Sequence, residues 1–597
     1  MPVYAAPLRE YDFLLREVLK IDRYANLPRF ADAPLDLVTQ VLDEAAKFCE
    51  GVLAPLNQVG DHHGCKRAAD GSVTTPPGFK EAYDQHVAAG WTGLTSSPDF
   101  GGQGLPGVVG LAFSEMASGA NMAFAMYPGL SHGAYSALYH HGSDEQKALY
   151  LPKLVSGEWT GTMNLTEPHC GTDLGLLRSK AVPVGDGSYK ISGQKIFISA
   201  GEHDLAANIV HLVIARIEGA PAGTKGISLF VVPKFIPNSD GSPGKRNGVK
   251  CGKIEEKMGI HGNATCVLDY DEAIGWLVGV ENKGLNAMFT MMNEARLGVA
   301  VQGLSQAEAA YQNGRAYAKD RLQGRSLTGP KNTGGAADPI IVHPDVRRML
   351  MDSKSFVEAA RAFALWTALH GDLESVSPDE KVREKGADYM ALMTPILKSY
   401  LTDKGYETAT NCQQIFGGHG YIEEHGMSQF VRDARIAMIY EGANGIQALD
   451  LVGRKLASNG GRAVFSFFSE VDDYVASRKD NAGLKPYLDA LAAAKTQLQE
   501  GTTWLMQNGM SNFDNAGAAS HDYLNLFGLT ALAYMWAQMA EAALAAKADG
   551  GAGDPYYENK LATGRYYVER VLPEAGAHLT KLKAGAASMM ALPAEAF

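Results

Sequence analysis

The apolar residues of this chain recur at three and four, then at two, then at three and four again, and this order of periods limits the folds open to it more than any other feature. Across residues 35–158 the spacing of Leu37, Val38, Val41, Leu42, Ala45 and Ala46 predicts a helical domain, because one face of a 3.6-residue helix demands it. Across residues 159–283 the period falls to two, or the runs become wholly apolar over strand lengths. Residues 195–199 and 226–233 are examples, and Gly, Asp and Pro separate such runs; this predicts a small β-domain. Helical spacing returns over 284–458, interrupted at 324–339, where Gly, Pro, Asn and Ser predict a surface loop. Gly460 and Gly461 mark a boundary, after which 459–597 read as an Ala-rich helical extension. Residues 1–34 form a leader. The predicted fold class is therefore α+β and multidomain, with helical, β, helical and extra helical parts in that order.

A chain of 597 residues is longer than one core usually organises. With 46% hydrophobic and 20% charged residues it has ordinary globular composition. The formal charge of −12 excludes a nucleic-acid partner, since no segment supplies the clustered Lys and Arg that a phosphate backbone requires. Cys49, Cys65, Cys170, Cys251, Cys266 and Cys412 lie far apart with no C-x-x-C pair, so neither a disulfide framework nor a structural zinc site is expected. His62-His63, His140-His141, His419 and His425 lack an acidic set at ligand spacing, so no metal is expected either. The opening residues lack a basic stretch and an apolar core of about 7 residues, and no run of about 18 uncharged apolar residues follows. Residues 528–546 come nearest, with Gln538 and Glu541 at the spacing of a buried helix. The expectation is a cytoplasmic protein without a membrane span.

Residues 433–447 place Glu441 between an apolar run and the turn-prone Gly442-Ala443-Asn444-Gly445. An apolar wall disfavours the charged form of a carboxyl group, and a backbone poor in side chains lets a ligand approach. That describes a general base. The alternative is a helix N-terminus with Asn444 as cap and Glu441 solvated before it.

Other segments bear on that choice. Residues 163–173 include Thr166-Glu167-Pro168 and Gly171-Thr172-Asp173; residues 192–201 include Gly193-Gln194-Lys195-Ile196-Phe197-Ile198-Ser199. Asn293-Glu294-Ala295-Arg296, Asp320 to Arg325, Gln414-Ile415-Phe416-Gly417-Gly418 and Val431-Arg432-Asp433-Ala434 follow in order, ahead of Ile439-Tyr440-Glu441-Gly442 and Ile446-Gln447. In order and spacing these segments resemble the acyl-CoA dehydrogenases. The leader, the Pro168-His169-Cys170-Gly171 variant, residues 258–266 and the extension look most like the 3-methylmercaptopropionyl-CoA dehydrogenase branch, which overlaps with bacterial long-chain enzymes of similar length.

The resemblance implies a β-barrel-like middle domain between the helical domains, FAD as cofactor, and Glu441 as the base that removes the α-proton of an acyl-CoA thioester. Its backbone N–H would help to hold the thioester oxygen. Met163, Leu165, Thr166, Gly171, Thr172, Phe197 and Ser199 would line the flavin, with Phe197 where tryptophan is common. Arg321, Gln414, Gly417 and Gly418 would reach the FAD of a neighbouring subunit, and Asn444 would stand in for a missing family contact. Thr172, Asn293, Arg296, Tyr440 and Gly442 would bind substrate, Arg296 at the adenine. An electron-transfer flavoprotein would take the electrons. A homodimer is expected, the extension covering a surface that shorter members use to form tetramers. The alternatives are a medium- or long-chain fatty acyl-CoA dehydrogenase, an acyl-CoA oxidase, and a catalytically silent assembly protein of the same fold.

Overall fold

The protein is described by a computed structural model that covers every residue except Met1, Met510 and the side chain of Ala552. Its two units are each discontinuous in sequence. One comprises Ala45–Leu105 and Met116–Gly298, the other Met1–Glu44, Pro106–Glu115 and Val299–Phe597.

In the first unit the strands are β1 (Trp159–Asn164), β2 (Lys180–Pro183), β3 (Ser188–Ser199), β4 (Asn208–Ile217), β5 (Ile227–Pro233), β6 (Val249–Ile254) and β7 (Thr265–Val278). Pairing runs β7–β3–β2–β4–β5 and returns to β7, while β6 adds to β7 and β1 to β4. Five strands thus close a ring, which removes their edges as a barrel does. The period of two explains the two-sided burial. Val210, Leu212 and Ile214 of β4 join one apolar cluster with Leu138, Leu151 and Leu154 from helices, while Val213, Ala215 and Ile217 join another with Ile191, Phe230 and Leu268. One departure from the expected helical region is the hairpin Lys66–Arg67 with Val73–Thr74. There the Asp70 carboxylate accepts the Ser72 N–H at 2.9 Å, a side-chain turn that competes with helix.

The helices of the second unit include α1 (Gly284–Asp320, entering it at Val299), α2 (Pro344–Val376), α3 (Glu380–Ile415), α4 (Met427–Ala437) and the short α5 (Asn444–Asp450). The extension adds α6 (Arg462–Arg478), α7 (Lys485–Asn508), α8 (Phe513–Ala548), α9 (Pro555–Tyr566) and α10 (Glu574–Lys583). Asn512 caps α8 by accepting the Asp514 N–H, and Asp554 caps α9 ahead of Pro555. The apolar run of α8 is buried within the same unit. Trp536 donates to the Ser355 carbonyl of α2 at 3.2 Å, and Gly528 lies against the Tyr400 ring of α3. Burying each such large side chain contributes roughly 1.5–3 kcal/mol.

The leader belongs to this unit. Lys560 of α9 is 1% exposed and pairs with Glu10 at 2.6 Å and Glu358 at 2.7 Å. Arg361 of α2 is fully buried between Glu115 and Glu308, at 2.6 and 2.8 Å. The expected loop at 324–339 is ordered around the buried Asp338, whose carboxylate accepts the N–H groups of Ser326, Lys331 and Asn332. Those hydrogen bonds hold its pKa down to about 2. Among the described residues no helix is long and apolar enough to cross a membrane.

Candidate active site

The chain leaves α4 at Ala437 and re-enters helix at Asn444, so Glu441 sits in a six-residue turn. Its φ is +57°, a left-handed conformation that side chains other than glycine adopt at an energetic cost. Several groups hold the turn in place. Gln447 donates from Nε2 to the carbonyls of Glu441 and Gly442, both at 3.2 Å, and Lys398 Nζ donates to Gly442 at 2.8 Å. The Tyr440 hydroxyl donates to Gln302 Oε1. Burial, and then the Glu441 carboxylate beside it, push the Tyr440 phenol above its ordinary value, so it stays a donor. Glu441, Tyr440 and Gly442 are all half-buried.

Asn444 is the first residue of α5, with Ala443 as the cap residue. Its side chain points into the protein. Nδ2 donates to Ser399 O, Thr402 Oγ1 and Asp403 Oδ1 at 3.2, 2.9 and 2.7 Å, and Oδ1 accepts from Lys398 at 2.9 Å.

In the other unit, the segment after β1 is fastened to β3 by a buried lysine. Lys195 Nζ donates to the Leu165 carbonyl at 2.9 Å and to Glu167 Oε1 at 2.8 Å, while the Ile196 N–H donates to Thr166 O at 2.9 Å. Burial alone would raise the Glu167 pKa, but Lys195 and the N–H groups of Ser179 and Arg178 hold it below the usual range. Leu165 is buried, Met163 and Thr166 are half-buried, and Gly171 and Thr172 are exposed. Phe197 is 60% exposed at a φ of +59°, an aromatic face turned out of the sheet, and Ser199 two residues on is half-buried. Sulfur, imidazole and carboxylate of Cys170, His169 and Glu167 lie within 4.8 Å of one another. The Lys195 ammonium already shares that carboxylate, and burial raises the Cys170 thiol pKa, so the trio is a poor cation site.

Arg321 is exposed just past the end of α1. One turn earlier, Tyr317 stacks on Phe416 at 4.1 Å and hydrogen-bonds His419 at 2.8 Å, which brings the end of α1 beside Gln414, Gly417 and Gly418. All three are exposed. On α1, Asn293 is exposed and Arg296 only 7% exposed.

Two participants escape a reading of the sequence. Lys398 is fully buried among Met393, Ile396, Leu397 and Leu401, and a lone lysine inside an apolar helical stretch is the available signal. Thr265 pairs with Ser199 across the β3–β7 ladder, and its buried hydroxyl has no hydrogen-bond partner among the described residues. Nothing in the local sequence marks it.

Residues 38–158, 162–273 and 282–456 match the families described as Acyl-CoA dehydrogenase, N-terminal, middle and C-terminal domain, and residues 467–593 match Acetyl-CoA dehydrogenase C-terminal like. The chain belongs to the acyl-CoA dehydrogenase family. It is 42% identical to a 3-methylmercaptopropionyl-CoA dehydrogenase of Ruegeria pomeroyi, over 97% of this chain and 98% of that one. It is 35% identical to a butyryl-CoA dehydrogenase of Syntrophomonas wolfei, over 100% of this chain and 99% of that one. The solved structure of an acyl-CoA dehydrogenase complexed with FAD from Bacillus anthracis covers 92% of this chain and 88% of its own, with a TM-score of 0.74 and 21% identity.

Proposed function

We propose that the chain is an FAD-dependent dehydrogenase that converts a short acyl-CoA thioester, 3-(methylthio)propanoyl-CoA or a close relative, to the trans-2-enoyl-CoA. The observation that carries this reading is the Glu441 turn: a carboxylate at a left-handed φ, with both following carbonyls tied down, in a chain of this family. The residues present fit a flavin. An exposed Phe197 offers a face for a flat ring, and the unpartnered Thr265 hydroxyl beside Ser199 suits a ring edge that carries acceptors. When bound, the flavin accepts the hydride that leaves the β-carbon.

The chain's own residues supply the rest. Glu441 takes the α-proton, and a fixed turn keeps its carboxylate and its backbone N–H from reorganising as charge develops on the thioester oxygen. Met163, Leu165, Thr166, Gly171, Thr172, Phe197 and Ser199 form the flavin surface. Asn293 and Arg296 hold the CoA portion, and Thr172, Tyr440 and Gly442 flank the acyl group. The reading includes a cytosolic homodimer that passes electrons to an electron-transfer flavoprotein. Exposure of Arg321, Gln414, Gly417 and Gly418 supports the dimer, because their role requires a neighbouring copy.

Acyl-chain selection rests on small differences, since a methylene discriminates by only about 1–3 kcal/mol. A panel of acyl-CoAs measured by kcat/KM, with electron-transfer flavoprotein and with oxygen as acceptors, tests the substrate and the acceptor together. Highest kcat/KM for a long-chain ester, or faster turnover with oxygen, would replace this reading with one of its alternatives.

A further inference from the structure

A non-glycine residue held at positive φ must be over-determined by its surroundings. At Glu441 two groups fasten the following peptides: the Gln447 amide, and an ammonium brought in from a different helix. That ammonium is Lys398 of α3, which is fully buried. Removing a cation from water is expensive, so a buried lysine persists only where strong acceptors meet it. Among them here are the Gly442 carbonyl at 2.8 Å and Asn444 Oδ1 at 2.9 Å. Asn444 is in turn braced by Ser399, Thr402 and Asp403, so the two sides of the turn are locked to one stretch of α3. Other titratable groups that bear on this cluster include Lys404 of α3 and His521 of α8, both acting on Asp403.

The extension backs the same stretch. Two residues beyond Lys398, the Tyr400 ring lies so close to Gly528 of α8 that a Cβ there would meet ring carbons at 2.5–2.9 Å. Helix α8 therefore presses directly on the part of α3 that grips the turn.

Resting on the functional reading above, we propose that Lys398, together with Asn444, is a positioning residue for the base: it holds the left-handed turn that presents Glu441. It donates to the carbonyl of the residue after the base and so places a positive charge one residue along the backbone from Glu441. The arrangement fixes the direction of the carboxylate and favours its ionised form at the moment the α-proton is removed.

The test uses the full-length flavin-loaded protein and compares wild type with Lys398→Met and Asn444→Ala. Flavin content, Kd for the CoA ester, and the rate of flavin reduction at saturation are measured across pH. Lys398→Met should leave flavin content intact and Kd within about twofold, while reduction slows at least tenfold and its apparent pKa moves up. Asn444→Ala should give a smaller change of the same kind. A merely structural lysine would lower the melting temperature without moving the pKa of the reduction step. A flavin-loaded Lys398→Met protein with wild-type rate and pH profile overturns the proposal. If that variant does not fold, an unchanged rate and profile in Asn444→Ala does the same. Wild-type protein that no acyl-CoA reduces would instead overturn the functional reading itself.

Discussion

The contact between Gly528 and Tyr400 makes a quantitative case that the extension is part of the catalytic scaffold. In an ordinary buried helix, Gly→Ala is stabilising by about 1 kcal/mol, because alanine loses less conformational freedom on folding. At Gly528 the new methyl group would meet Tyr400 ring carbons at 2.5, 2.7 and 2.9 Å, against about 3.5 Å for carbon contact. Either the ring or one helix must move by about 1 Å. Tyr400 is 1% exposed, so it has no open space to enter, and overpacking of this kind costs about 1–3 kcal/mol. The clash should outweigh the helix propensity, and Gly528→Ala should lower stability by about 1 kcal/mol. In a Tyr400→Leu background the obstacle is gone, and the same substitution should become neutral or stabilising. Calorimetric melting of the four proteins forms a double-mutant cycle, with an expected coupling of about 1–3 kcal/mol. Flavin reduction should slow in the Gly528→Ala protein, because α3 carries Lys398 two residues from the displaced ring. A higher melting temperature for Gly528→Ala in the wild-type background would refute the reasoning.

Arg361→Met should destabilise by about 3–5 kcal/mol at neutral pH, because Glu115 and Glu308 would remain buried without their shared cation. Melting curves should show the loss shrinking in acid as Glu115, whose pKa burial raises, protonates, and an equal loss at every pH would contradict this. The hydrogen bond to Asp61 raises the His261 pKa to about 9. Its contribution is thus complete below the usual histidine pKa of about 6.5 and fades as pH rises through about 9. Asp61→Asn should flatten the decline of the melting temperature over that window; parallel curves would count against the pair. Arg296→Ala should weaken binding of the CoA ester, with little change in the saturated rate of flavin reduction, since such a contact is uniform between ground and transition state. An unchanged Kd would remove Arg296 from the CoA site.

What can be read from the sequence is what depends on neighbours along the chain. The apolar run of residues 209–215 predicts a strand, and β4 contains it, with its two faces in two different cores. Ring closure cannot be read that way, because β7 pairs with both β3 and β5, which lie far apart in the sequence. The leader gives no sign of its partner for the same reason: Glu10 meets Lys560 only in the folded chain. At the site, Glu441 stands out from its own surroundings, an apolar run followed by a glycine-rich turn. The groups that hold it, Lys398 and the inward amide of Asn444, come together through the packing of α3 against α5, and a pattern of residue types carries no record of that packing. Asn444 shows the limit most plainly, since its place in the motif suggests a cofactor contact while its side chain bonds to the protein interior.

The central claim is that Glu441 removes the α-proton. Single-turnover mixing of the flavin-loaded Glu441→Gln protein with a short acyl-CoA tests it most directly, because glutamine keeps the size of the side chain and removes the base. The account predicts a folded, yellow protein that binds the ester and is not bleached by it, whereas flavin reduction at near wild-type speed would contradict the assignment.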